Sequence, residues 1–103
     1  MKEVSLVLYS KEGCCLCEGL KKKVESLPLD ELEPAVIFYV VDINGNKVSA
    51  GERGKYTLEV PVMFFVIQET LMRVELPRVS PRTKAHDLFV WLQKELTIFL
   101  TLD

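Results

Sequence analysis

No stretch of this chain approaches the roughly 20 consecutive apolar residues that a membrane-spanning helix needs; the longest run, Ala35 to Val41, has seven. Positive charge is not in excess either. Lys and Arg number 13 against 15 Asp and Glu, a formal net charge of −2, so no basic field exists to hold nucleic acid or an anionic membrane surface. Histidine occurs once, at His86, remote in sequence from every cysteine, which does not readily give a closed tetrahedral zinc site. Cysteine is missing everywhere except within four residues, in Gly13-Cys14-Cys15-Leu16-Cys17. That cluster is not the spaced, even-numbered framework of a secreted disulfide scaffold, and it suits a reducing intracellular compartment. The first strand begins next to Met1, which leaves no room for a signal segment, so we expect a cytoplasmic protein, or an organellar one if a leader has been removed.

What is present fits one globular domain spanning residues 1–103: 49% hydrophobic and 27% charged residues, with no repeat, low-complexity tract or linker. Glu3 to Tyr9 reads as a buried strand ended by the polar turn Ser10-Lys11-Glu12-Gly13. Leu16, Leu20, Val24 and Leu27 then recur at helical spacing, which predicts a helix over Cys17 to Leu27, stopped by Pro28. Ala35 to Val41 predicts a second strand, apolar enough to be covered on both faces as in parallel sheets. Ser49 offers a cap for a short helix from Ala50 to Tyr56, diluted by Gly51 and Gly54. Val62 to Gln68 and the alternating Leu71 to Leu76 form a hairpin. Ser80-Pro81 presents a cap followed by proline at a first helical position, and Leu88, Phe89, Trp91, Leu92, Leu96 and Phe99 line a last helix broadly enough to cover a sheet. A right-handed crossover makes the first two strands parallel. The expected fold is α/β and thioredoxin-like in architecture, a four-stranded mixed sheet with helices on both faces in the order β-α-β-α-β-β-α.

The cysteines stand where a strand hands over to a helix. Amide N–H groups at a helix start carry partial positive charge and favour thiolate over thiol, and the thiolate attacks disulfides. Residues three apart there fall within the Cα separation of about 4.4–6.8 Å that a disulfide requires, so Cys14 and Cys17 can bridge. Cys14 comes first, where the field and the exposure are greatest, and Lys11 shares its turn; it is the better nucleophile, with Cys17 as resolving thiol. Glu12 and Glu18 oppose this activation.

The segment Tyr9-Ser10-Lys11-Glu12-Gly13-Cys14-Cys15-Leu16-Cys17 resembles the active-site signature of the glutaredoxins, and Val60-Pro61-Val62 resembles the cis-proline segment that faces it across the thioredoxin superfamily. With Asp42-Ile43 after the second strand and Arg78-Val79-Ser80-Pro81 before the last helix, nearly the whole chain is similar to a small glutaredoxin-like branch. The resemblance implies a thiol–disulfide oxidoreductase of redox homeostasis in which Cys14 attacks, Cys17 resolves, and the pair cycles as a redox-active disulfide. It implies that Lys11 favours the thiolate and meets a glutathione carboxylate, that Pro61 is cis, and that the backbone of Val60 pairs with an extended substrate. It implies no permanently bound cofactor, glutathione as co-substrate, partners among protein or glutathione mixed disulfides and a thiol reductase, and a monomer.

The chain also departs from the pattern. Cys15 and Leu16 stand where glutaredoxins commonly have proline and an aromatic, and no glycine pair with an acidic residue occurs in Met72 to Ser80. Lys47, Arg53 and Lys55 are left as the basic contacts around the second helix. Two other readings follow from the same resemblance: glutathione-assisted iron–sulfur cluster binding, and a redox-inert interaction module. Blander roles are expected elsewhere. Cys15 reads as an exposed bystander, Lys21-Lys22-Lys23 as the solvated face of the first helix, His86 as a surface residue, and Phe89, Trp91 and Phe99 as core.

Overall fold

The structure, a computed structural model, describes residues 3–102. Its elements run β1 Val4–Ser10, α1 Cys15–Glu25, a single 3-10 turn at Leu29–Glu31, β2 Val36–Asp42, α2 Ala50–Tyr56, β3 Val62–Ile67, β4 Arg73–Glu75 and α3 Ala85–Thr101. The strands form one sheet in the order β2-β1-β3-β4, with β2 parallel to β1 and the other two pairs antiparallel. This is the expected mixed sheet with three helices, a thioredoxin-like fold.

Strand alternation sorts the core into two layers. Val4, Leu6 and Leu8 of β1 and Met63, Phe65 and Ile67 of β3 face Val24 of α1 and Leu88, Leu92, Leu96 and Phe99 of α3. Tyr9, Val62 and Phe64 point to the other face, where Ile43, Val48 and Tyr56 of the β2–α2 connection and α2 cover them. The helices of the first layer are long enough to bury their half of the sheet. On the second face α2 has only seven residues, capped by Ser49, whose hydroxyl accepts the Glu52 N–H at 3.2 Å.

That shortness corrects the reading of β2 as a strand covered on both faces. β2 lies at the sheet edge, and Ile37 and Tyr39, on the face that α2 covers, are 46% and 47% exposed. Its apolar run reflects strand propensity as well as burial. A second correction concerns α3, which starts at Ala85 and not at Ser80-Pro81. The Ser80 hydroxyl accepts the Arg82 N–H at 3.2 Å and its carbonyl accepts the Thr83 N–H at 3.0 Å, closing a tight turn. The Lys23 ammonium meanwhile donates to the carbonyls of Pro81 and Thr83, the groups a helix beginning there would need as acceptors. Lys23 is therefore a tie between α1 and the β4–α3 connection, and not part of a fully solvated face. Phe99 is buried as expected, whereas Phe89 and Trp91 only pack against the core's margin.

The α2 face carries a polar cluster set among rings. The Tyr9 hydroxyl donates to Glu52 at 3.2 Å and accepts from Arg73 at 3.1 Å, and Arg73 and Glu52 form an ion pair. The guanidinium lies 4.7 Å from the centre of the Phe64 ring, and the Tyr56 hydroxyl donates to Glu75 at 2.9 Å. Burial, foremost, pushes the Tyr9 phenol above its ordinary value of 10.0. A raised folded-state value means that the neutral phenol's contribution to stability is complete below pH 10 and is lost as pH rises through the folded value. Tyr9→Phe is accordingly expected to cost about 1 kcal/mol at pH 7 and to flatten the decline in stability above pH 10, as measured by urea unfolding across that range.

Candidate active site

Three pieces of chain converge at the C-terminal end of β1. The Ser10 carbonyl accepts the Ile43 N–H at 2.8 Å, holding the end of β1 against the end of β2. Beyond it the backbone turns through Gly13, whose φ of +82° lies in the left-handed region that glycine alone adopts without strain. The Cys14 N–H bonds the Lys11 carbonyl at 3.2 Å to close this turn, and α1 begins at the next residue. The predicted helix starts two residues later than the observed one, because Cys14 itself serves as the cap.

Cys14 caps α1 through its sulfur. With extended backbone angles of φ −89° and ψ 103°, it places Sγ where the Cys17 N–H donates to it at 3.1 Å. Cys14 and Cys17 are joined as a disulfide with Cα atoms 5.2 Å apart. The two sulfurs differ in access: Cys14 is half-buried, and Cys17 is fully buried. Cys15 is a free, exposed thiol, and Leu16 is 58% exposed.

Pairing of Tyr9 with Val62 brings the start of β3 beside the end of β1, and with it Val60 and Pro61. The Val60–Pro61 peptide bond is cis, as is Glu33–Pro34. The Val60 N–H donates to the Tyr56 carbonyl at 3.1 Å, so of its two backbone groups the carbonyl is the one without a backbone partner among the described residues. Lys11 is half-buried, and its ammonium donates to the Thr57 carbonyl at 3.0 Å. It thereby pins the cysteine turn to the C-terminal cap of α2, where a cation is favoured by the helix field.

The other basic residues named from the sequence go elsewhere. Arg53 donates to the carbonyls of Ile43, Gly45 and Val48, at 3.2, 3.2 and 3.3 Å, and staples the connection that precedes α2. Lys55 lies 5.0 Å over the Tyr56 ring, and Lys47 and His86 are exposed. Among the described residues, no three of His, Cys, Asp and Glu are grouped so as to hold a metal ion. No helix among the described residues is long and apolar enough to cross a membrane.

Sequence reasoning missed a groove of about 370 Å³ that runs from Cys15 and Leu16, past Pro61, to the connection between β4 and α3. Its far wall is built by Pro77, Val79 and Pro81, and Arg78 at its edge forms an ion pair with Glu59 of the segment before Pro61. Pro77 and Pro81 bracketing Arg78, Val79 and Ser80 were the available signal. A proline-punctuated loop of that kind is extended, and is not the opening of a helix.

The comparisons with known proteins agree with this geometry. No curated protein shows significant sequence similarity to the chain. A solved structure described as "Structure of a malarial protein" superposes with a TM-score of 0.56 at 15% identity, covering 89% of this chain and 96% of that one, a likeness that speaks to the fold alone. The model of the glutaredoxin-like domain (DUF836) matches residues 5–93, a span that takes in the cysteine turn, the Val60–Pro61 segment and all four strands but for the first residue of β1. A paired Cys14 and Cys17 within that domain fit a thiol-oxidoreductase-like role, and the chain belongs to the glutaredoxin-like (DUF836) family.

Proposed function

We propose that the protein is a dithiol–disulfide oxidoreductase that reduces disulfides through Cys14 and Cys17. The single observation that carries this reading is the Cys17 N–H directed at Cys14 Sγ from the first turn of α1, at 3.1 Å, with Cys14 accessible and Cys17 wholly buried behind it. An amide aimed at a sulfur at a helix start stabilises negative charge there, which lowers the thiol pKa and raises the thiolate fraction at neutral pH.

In the reduced protein the Cys14 thiolate attacks one sulfur of a substrate disulfide. The bond Cys14 Sγ–S(substrate) forms, the substrate S–S bond breaks, and the departing sulfur leaves as a thiolate that takes a proton from water. Cys17 then loses its proton and attacks Cys14 Sγ, closing the bond present in the structure and releasing the second substrate thiol. Two electrons pass from the dithiol to the substrate, and a thiol reductant restores the dithiol. Pro61 lines the groove along which an extended substrate aligns, with the Val60 carbonyl beside it as acceptor, and Lys11 ties the cysteine turn to the end of α2 that precedes this segment.

The test is a single-turnover reaction of the prereduced protein with bis(2-hydroxyethyl) disulfide. The expected result is one disulfide reduced per protein and a Cys14–Cys17 bond recovered by peptide mapping. A reduced protein that leaves the small disulfide untouched over hours would overturn the reading.

A further inference from the structure

The cations of the cysteine turn and of the groove are all engaged within the chain. Lys11 is held by the Thr57 carbonyl, Lys23 by the carbonyls of Pro81 and Thr83 at 3.0 and 2.6 Å, and Arg78 by Glu59. Glutathione brings two carboxylates to any site, and a site that recognises it needs cations or helix-start amides to meet them. Here the cations are already partnered. The groove that opens at Cys15, next in the chain to Cys14, is instead largely apolar: Leu16 stands two residues from the nucleophile with 58% of its surface in solvent, on a pocket walled by Leu20, Pro77, Val79 and Pro81. An exposed leucine at a reactive turn gains most when a partner's side chain covers it. The Val60 carbonyl beside Pro61, which accepts no backbone N–H among the described residues, offers a hydrogen bond to a backbone N–H, which an extended polypeptide supplies along its length.

We propose that the groove takes an apolar side chain next to the reacting cysteine of a protein disulfide, and that Glu59, by neutralising Arg78, selects against glutathione and other anionic disulfides. The inference rests on the exchange reading above and names its substrate class. Glu59 acts on specificity through Arg78 and is a positioning residue; neither group touches the reacting sulfurs. The selection works by difference, with an attractive apolar contact for one class and a withheld cation for the other.

The test measures single-turnover rate constants of the prereduced protein with four disulfides: bis(2-hydroxyethyl) disulfide, glutathione disulfide, and two otherwise identical neutral peptide disulfides carrying leucine or glycine after the cysteine. The leucine peptide is expected to react about tenfold faster than the glycine peptide, the discrimination that one buried apolar side chain can supply. Val79→Asp is expected to abolish that ratio, with Val79→Ala as the milder variant if the first folds poorly. Glu59→Gln is expected to raise the rate with glutathione disulfide by about threefold and to make it fall with added salt, the size and sign of freeing one exposed charge. Equal rates for the two peptides, or a wild type fastest with glutathione disulfide, would overturn the inference while the exchange reading stands. Failure to reduce any of the four, the small neutral disulfide included, overturns both.

Discussion

Cys14→Ser is expected to bring disulfide exchange down to background, whereas Cys17→Ser is expected to react once and stop, leaving the substrate covalently attached to Cys14. A serine hydroxyl is not ionised at neutral pH, so the N-cap hydrogen bond to the Cys17 N–H can survive the first substitution while nucleophilic attack cannot. The second substitution leaves the attacking sulfur and its amide environment in place and removes only the group that releases the substrate. The two outcomes therefore differ in kind, and intact-protein mass spectrometry after reaction with a peptide disulfide separates them. Cys15 supplies the internal control. It is exposed and unpaired, and its side chain is not the one that caps the helix, so a Cys15→Ala variant is expected to retain exchange; turnover that persists in Cys14→Ser and disappears in the doubly substituted Cys14→Ser, Cys15→Ala protein would move the nucleophile by one residue.

Phe65→Ala is expected to cost about 3–5 kcal/mol, a large share of the roughly 5–15 kcal/mol that stabilises a domain of this size. Phe65 lies on β3 with no exposed surface, and its ring stacks on that of Phe99 from α3 at 5.8 Å between centroids, so its removal leaves a void between sheet and helix that neighbours on a central strand are poorly placed to fill. The expected fall in Tm is about 15 °C or more. Phe89→Ala, at the half-buried margin of the same helix, is expected to cost far less. Denaturant titration of the two variants side by side checks both values. A loss below about 1 kcal/mol for Phe65→Ala would mean that the sheet and α3 are not packed as described.

The parts of this fold that were legible in the sequence are those in which local pattern and tertiary demand coincide. The β1 run, the i, i+4 spacing of α1 and the Ser49 cap each specify one element by short-range rules, and each element stands within two residues of its expected place. Where side chains from distant segments decide, the sequence misleads. Ser80-Pro81 has the chemistry of a helix start, but Lys23, 58 residues earlier in the chain than Pro81, takes the carbonyl a helix would need. Ile37 and Tyr39 look like core residues because nothing local reveals that α2 is too short to reach them. The pairing of Cys14 with Cys17 and the cis bond before Pro61 were legible because the turn chemistry is local and the strand order follows from topology. The groove was not, since its two walls are 60 residues apart and meet only in the folded chain.

The partnering of Lys11 changes what its position implies. A lysine beside a reactive cysteine reads as an activating charge, yet its ammonium is directed at the carbonyl that ends α2. On the proposed reading, activation of Cys14 rests mainly on the backbone amides of α1, which no side-chain substitution removes, and Lys11 ties the cysteine turn to the end of α2.

The most direct test of that account is the ionisation of Cys14 in the reduced protein, followed by thiolate absorbance or by the pH dependence of alkylation in a Cys15→Ala background. The expected result is a pKa clearly below the ordinary cysteine value of about 8.5, persisting in Lys11→Met. A Cys14 thiol that titrates at or above that value would contradict activation by the amides of α1, and with it the proposed chemistry.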